Sequence, residues 1–271
     1  MVNREEAPVI YDATKLNVNL LPCEQWKLDN NVSVYSLHGG TEEVVKLDCV
    51  FFAGNWYEQN NLEAASTNYL LKNGTRRHSA FQINEYFEYY GAYLNRSCGH
   101  ETASVTLHCL TKYLPQLLPM VAEILTESIF PEEELRLMCQ NQKQLLTVNL
   151  KKCEFVANRL IDQYIYGTNH PYGKVSMPQQ YDALQQNRLL NYYDTYYVNG
   201  NAIFFISGKL PHNIQQLLNQ YFGSLPFGSK ALASLNHEAL PASEKKYRIL
   251  NDEDGVQGAI RIGTSFHNKH H

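Results

Sequence analysis

Tyr93-Leu94-Asn95-Arg96-Ser97, then the turn-like Cys98-Gly99-His100, then Thr102-Ala103-Ser104-Val105-Thr106-Leu107-His108-Cys109-Leu110, is the stretch that decides the fold. Both flanks alternate in the manner of half-buried strands, and the small residues between them suit a turn, so the stretch reads as a β-hairpin. Directly behind it Leu114, Leu117, Leu118, Val121, Ile124, Leu125 and Ile129 recur at helical spacing, and Pro131 opens the next helix. A strand pair feeding into an amphipathic helix is the repeating unit of an α+β protein.

Upstream of the hairpin, an irregular opening marked by Pro8 and Pro22 leads to the alternating strand Val32 to Leu37 and the turn His38-Gly39-Gly40. Val44 to Ala53 reads as the antiparallel partner of that strand. Leu62 to Lys72 reads as a helix with Leu62, Ala65, Tyr69 and Lys72 along one side, stopped by Asn73-Gly74, and Ser79 to Tyr90 as a second one ended by Gly91. Downstream, helices are expected over Pro131 to Val148, Glu154 to Ile165 and Pro178 to Tyr197, followed by a strand, Ala202 to Ser207, and an amphipathic helix, Pro211 to Phe222. The expected architecture is a two-layer α/β sandwich: a mixed, mostly antiparallel sheet with helices on one face.

The domain expectation is one unit over 1–228, a linker rich in Gly, Ser, Pro and Ala over 229–246, and the start of a second unit over 247–271. That last piece carries two strand-like segments, Tyr247 to Leu250 and Val256 to Ile262.

The composition of the 271 residues, 44% hydrophobic and 18% charged, is that of a globular chain with a real core. Twenty-three basic against 27 acidic residues give a net charge of −4, which supplies no cationic field for nucleic acid. Ala202 to Ile206, the most apolar segment, is far shorter than the roughly 20 residues a membrane helix needs. No signal peptide is legible from Met1 to Ala7, and the six cysteines form no C-x-x-C pair, so reduced thiols and a cytoplasmic location are expected.

Six short strings then point to a family. They are Leu28-Asp29-Asn30-Asn31-Val32-Ser33-Val34, Gly54 after the second strand, Gly74-Thr75 after the first helix, Gly91-Ala92-Tyr93-Leu94-Asn95, Asn169-His170-Pro171-Tyr172-Gly173, and Asn201-Ala202-Ile203 through Tyr221-Phe222-Gly223-Ser224-Leu225-Pro226. None is specific alone; in this order over about 200 residues they are hard to produce by chance. The chain resembles the pitrilysin, insulysin and mitochondrial processing peptidase family of inverted-motif zinc metallopeptidases. The resemblance implies an α/β unit used twice per chain.

Active members of that family carry H-x-x-E-H on the first helix. Two histidines four apart share a helix face and hold zinc, the glutamate activates the bound water, and a later helix gives a carboxylate. Anchored on Gly74-Thr75, the resemblance carries those positions to Ala65, Asn68 and Tyr69, with no histidine anywhere between His38 and His78. The third ligand falls near Leu146 or Thr147, where the polar neighbours are Gln142 and Gln144. A methyl group, an amide and a phenol replace ligand, base and ligand, and amides are poor zinc ligands and no general bases.

The expectation is therefore a catalytically inactive homologue with no metal and no cofactor. It would pair with an active zinc-bearing chain, or self-associate, and contribute substrate-binding surface and chamber wall for unfolded peptide. In active relatives the strand after the first two helices is an edge to which substrate adds as a further strand, and here that strand holds Leu94, Asn95 and Arg96. The competing reading of this segment is an ordinary edge strand blunted by Arg96. Tyr86, Tyr89, Tyr90 and Tyr93 either line the chamber or pack the helix on the sheet. Two alternatives for the whole chain stand beside this: an active zinc endopeptidase with a displaced or partner-completed site, which would need zinc, and a non-enzymatic peptide-binding scaffold.

Other constellations are weaker. His100 and His108 could share a strand face but lack a carboxylate partner, and His267 and His271 have helical spacing only in a tail. His170 reads as a turn residue, Ser207-Gly208-Lys209 lacks the upstream glycine of a phosphate loop, and Glu132-Glu133-Glu134 fits a first helical turn.

Overall fold

Among the described residues six strands form a single sheet in the order β1-β2-β6-β3-β5-β4. They are β1 Glu24–Lys27, β2 Ser33–His38, β3 Val44–Phe51, β4 Tyr93–Cys98, β5 Ala103–Leu110 and β6 Ala202–Gly208. The structure is a computed structural model, and it describes residues 21–228, 249–250 and 255–266 together with Leu235 and Glu238. The helices are α1 Glu63–Leu70, α2 Ala80–Tyr89, α3 Leu114–Glu127, α4 Glu132–Asn149, α5 Cys153–Tyr166, α6 Gln186–Tyr193 and α7 Ile214–Phe222.

The hairpin is present as expected, with Leu94 opposite Leu107 and Arg96 opposite Val105. The pairing of Val32–Leu37 with Val44–Ala53 is not. β6 lies between them, parallel to β2 and antiparallel to β3. The reason is burial: β6 carries the most apolar run of the chain, its Ala202, Phe204 and Ile206 are all buried, and the centre of the sheet is where such a strand loses most apolar surface to water. The segment after β2 therefore crosses the end of β6, where the Gly39 N–H donates to the Gly208 carbonyl at 3.0 Å. Gly208 has φ +119°, and a Cβ there would lie 2.2 Å from the Val44 carbonyl oxygen, so only glycine fits this crossing. β1, which the sequence leaves as irregular chain, is a short and mostly exposed strand against β2.

One face of the sheet is dry. Val45, Leu47, Cys49 and Phe51 of β3 meet Val105 and Leu107 of β5 and Phe204 and Ile206 of β6, and Leu117, Val121, Ile124, Leu217, Leu218 and Phe222 of α3 and α7 close over them in one cluster. Phe227 completes it against Phe51 and Phe204, with ring centroids 5.5 and 5.9 Å away. The opposite face is solvated and carries Lys46, Phe205 and His108. This is the α+β sheet with helices on one face, four of its five strand pairings antiparallel and one parallel.

Two further expectations are corrected. Pro178–Tyr197 is not one helix: a 3₁₀ turn over Pro178–Ala183 ends at the extended Leu184 and Gln185, then α6 runs into a widened π turn, Asp194–Val198. Tyr181 and Leu184 pack on the core from the first piece, while the π turn brings Tyr197 to full burial. Val256–Ile262 forms no strand: Val256, Ile260 and Ile262 are at least 82% exposed, and no neighbouring strand among the described residues offers them a ladder. Ile249 and Leu250 are likewise outside any strand, whereas Tyr247, Arg248, nearly all of the expected linker, and His267 to His271 lie outside the described residues.

Candidate functional site

Helix α1 begins after Leu62, a residue held in the left-handed region at φ 77°. Two carboxylates stabilise the start: Glu63 accepts from the Asn60 backbone N–H at 3.1 Å, and Glu58 accepts from that of Ala64 at 3.2 Å. Burial raises the Glu58 carboxyl above its usual range, against the lowering effects of the Ala64 N–H and of Lys174, whose ammonium is 3.4 Å away. Beyond the helix, Gly74 turns the chain, and Thr75 Oγ1 and His78 Nδ1 both meet the buried Glu123 Oε1, at 2.5 and 2.8 Å. This clasp fixes the loop after α1 to α3.

The three positions to which the resemblance carries the motif divide between two faces. Ala65 and Tyr69 are on the exposed side of α1, and Asn68 is buried. The Asn68 amide donates to the Tyr197 hydroxyl at 3.1 Å and to the Ser104 carbonyl at 3.3 Å. The Tyr69 ring lies under the Arg96 guanidinium, 5.0 Å from its centroid. Arg96 Nη1 also donates to the Tyr69 carbonyl and, at 3.2 Å, to Asn73 Oδ1, whose amide in turn donates to Glu134 at 2.8 Å. Burial pulls the Arg96 pKa down to about 10, which leaves it a cation at neutral pH. On α4, which packs beside α1, Leu146 is buried and the Thr147 hydroxyl donates to its own helix, to the Lys143 carbonyl.

This donor set does not fit a zinc ion. Position 65 offers no donor atom, both hydrogens of the Asn68 amide face acceptors within the unit, and the phenol of Tyr69 stands beside a fixed positive charge. Among the described residues no group of three His, Cys, Asp or Glu side chains is placed to share a metal.

β4 is an outer strand of the sheet. Its register puts Leu94 and Arg96 on the helix-covered face, opposite Leu107 and Val105, and Asn95 on the other, opposite Thr106. Leu94 is thus a core residue, while the Arg96 side chain folds onto α1. Of the four tyrosines nearby, Tyr86 and Tyr90 pack on the core, and Tyr89 and Tyr93 are exposed at 82% and 65%. Sequence periodicity could not divide them, because Tyr89 and Tyr90 are adjacent at the end of one helix.

The histidines do not gather. His100 lies in the hairpin turn, its Nδ1 3.2 Å from Asn55 Oδ1, whereas His108 is on β5, so the two do not share a strand face. His170 turns the chain: its carbonyl accepts from Gly173 and its Nδ1 from the Tyr172 N–H. Its ring stacks on Tyr166, with Trp56 edge-on, and Tyr172 donates to Glu101 across the hairpin turn. This aromatic box joins α5 to the sheet and was not legible in the sequence beyond its His-Pro-Tyr-Gly string. Lys209 pairs with Glu43 at 2.7 Å, and Glu133 pairs with Arg136 within the first turn of α4. All six cysteines are free thiols, and burial raises those of Cys98 and Cys109 to about 12, far from a nucleophilic thiolate.

Comparison with known proteins agrees with this architecture. Residues 34–173 match the family model described as Insulinase (Peptidase family M16), and residues 183–271 match the one described as Peptidase M16 inactive domain. An uncharacterized zinc protease of Rickettsia felis is 24% identical over 213 residues, 76% of this chain and 51% of that protein. The probable mitochondrial-processing peptidase subunit beta of Schizosaccharomyces pombe is 22% identical over 78% of this chain and 47% of its own length. The chain thus spans about half the length of these curated relatives. The crystal structure of a peptidase M16 inactive domain from Pseudomonas fluorescens superposes with a TM-score of 0.74 at 21% identity, over 81% of this chain and 54% of that one. With a family match over more than half of the chain, taking in β2 to β5, α1 to α5 and the His-Pro-Tyr-Gly turn, the chain belongs to the insulinase family, peptidase family M16.

Proposed function

We propose that this chain is a catalytically inactive member of its family, which pairs with a zinc-bearing family member and contributes peptide-binding surface and chamber wall to the pair. The observation that carries the reading is the fate of the motif positions: Asn68 is tied into the scaffold through Tyr197 and Ser104, and Tyr69 is capped by the Arg96 cation. A general base cannot be an amide, and a site for Zn²⁺ is disfavoured beside a fixed cation. The edge of β4 is retained, and strand addition there uses backbone N–H and C=O groups whatever the side chains. Pairing is supported by the naming of the Schizosaccharomyces pombe relative as a subunit beta.

The same reading takes residues 1–228 as one unit, 229–246 as linker and 247–271 as the first part of a second like unit. The burial of Phe227 and the greater length of the relatives support it. It places the protein in the cytoplasm, where six unpaired thiols stay reduced. Among the described residues no helix is long and apolar enough to cross a membrane.

The test is metal content and partner capture. The purified chain with its tail histidines replaced is expected to hold well under one zinc per chain and to cleave no unfolded peptide, and capture from its source is expected to recover an H-x-x-E-H chain at equal stoichiometry. One tightly held zinc per chain would sink the inactive reading; recovery of this protein alone would sink the pairing.

A further inference from the structure

Among the described residues Arg96 is a cation without a counter-ion. Its Nη1 is engaged by two oxygens, both uncharged, while Nη2 and Nε meet no acceptor among the described residues, and it forms no ion pair. Lys72, two residues past the end of α1, forms none among the described residues either, and its pKa is lowered by burial and then by the Arg96 charge. Glu88 acts on Lys72 without pairing with it, and Glu134 is taken up by the Asn73 amide. Two half-buried like charges with spare donors are unfavourable in isolation and are relieved by an arriving anion. They stand out on a chain whose net charge is −4.

The position of the pair says what kind of anion. In a β-ladder, residues directly opposite each other point to the same face. Arg96 points to the helix-covered face, so the residue of an added strand opposite Arg96 would direct its side chain to that same face, where the guanidinium lies against Tyr69 and Asn73, the residues that bracket Lys72. We propose that Arg96 and Lys72 form a carboxylate-binding subsite beside the β4 edge, and that the peptide this unit takes is an extended one bearing Asp or Glu opposite Arg96. This deepens the peptide-binding half of the function proposed above and rests on it.

The experiment is fluorescence anisotropy on the full chain with dye-labelled extended peptides, acetylated and amidated at their ends, which differ only by Glu or Gln at one central position. The Glu peptide is expected to bind about tenfold more tightly, with a preference that shrinks as salt is raised. Arg96→Gln is expected to abolish the preference and Lys72→Gln to reduce it severalfold, with unchanged urea midpoints as the control for folding. Lys72 is the safer variant because Arg96, unlike it, holds Tyr69 and Asn73 through hydrogen bonds and a ring contact. Equal binding of the two peptides overturns the subsite and leaves strand addition standing. So does a preference that persists in both variants. Binding of neither peptide overturns the subsite and the peptide-binding reading together.

Discussion

Two neighbouring regions at helix α1 treat polar groups in opposite ways. In the clasp behind Gly74, the Thr75 hydroxyl and the His78 ring converge on one buried carboxylate, Glu123, within the unit. On the face of α1 toward β4 the inner residue, Asn68, is equally well satisfied, but the outer pair of Tyr69 and Arg96 leaves guanidinium donors without acceptors among the described residues. The difference separates what holds the fold from what is available to a ligand. The loop after α1 is held to α3, Asn68 is tied to Tyr197 and Ser104, and Tyr69 and Arg96 form the outer rim of the helix.

The largest effect is expected from breaking the clasp. Glu123→Ala strips the acceptor from Thr75 and His78 and leaves a cavity at the α3 surface, at a cost of about 3 kcal/mol, measurable as a lower urea midpoint. A loss under about 1 kcal/mol would mean that the clasp is not structural and would erase the contrast. Asn68→Ala sharpens the comparison from the other side. Tyr197 and the Ser104 carbonyl lose a donor and α1 gains helix propensity, so a net loss of about 1–2 kcal/mol is expected in the same assay.

The smallest effect concerns pH. Glu58 is a carboxylate whose folded pKa lies above the ordinary value of 4.5, chiefly through burial. Between that value and the higher folded one, the native state binds more protons than the unfolded state, so this group's contribution makes stability fall as pH rises through the window. Well below 4.5 both states are protonated and the penalty is absent. Urea midpoints taken across this range should show the wild type losing more stability with rising pH than Glu58→Gln does. An equal or opposite slope would show that Lys174 and the Ala64 N–H outweigh burial.

Local patterns in the sequence were sufficient for some of this. Alternation plus a Gly-containing turn located the β4–β5 hairpin, and the stripe from Leu114 onward located α3, because both signals lie within one element. The insertion of β6 between β2 and β3 depends on residues over 150 positions apart, and no period in the chain encodes it. The break within Pro178–Tyr197 was hidden because Tyr181 and Leu184 continue a helical pattern while their packing requires an extended link. At the site, the resemblance could place Ala65, Asn68 and Tyr69 by counting back from Gly74. It could not show that Asn68 meets Tyr197, 129 residues on, or that Arg96 leaves the edge to stack on Tyr69.

The central place of β6 also sets a schedule. When β2 and β3 leave the ribosome, the strand that must part them has yet to be made, and at about 5–20 residues per second it follows on the order of ten seconds later. During that interval two strands destined for the interior have open edges toward each other and toward other chains, and the pairing nearest to hand is the wrong one. Gly208, which only tolerates Val44 at its side because it has no Cβ, is the last residue of β6 and the one that closes this window.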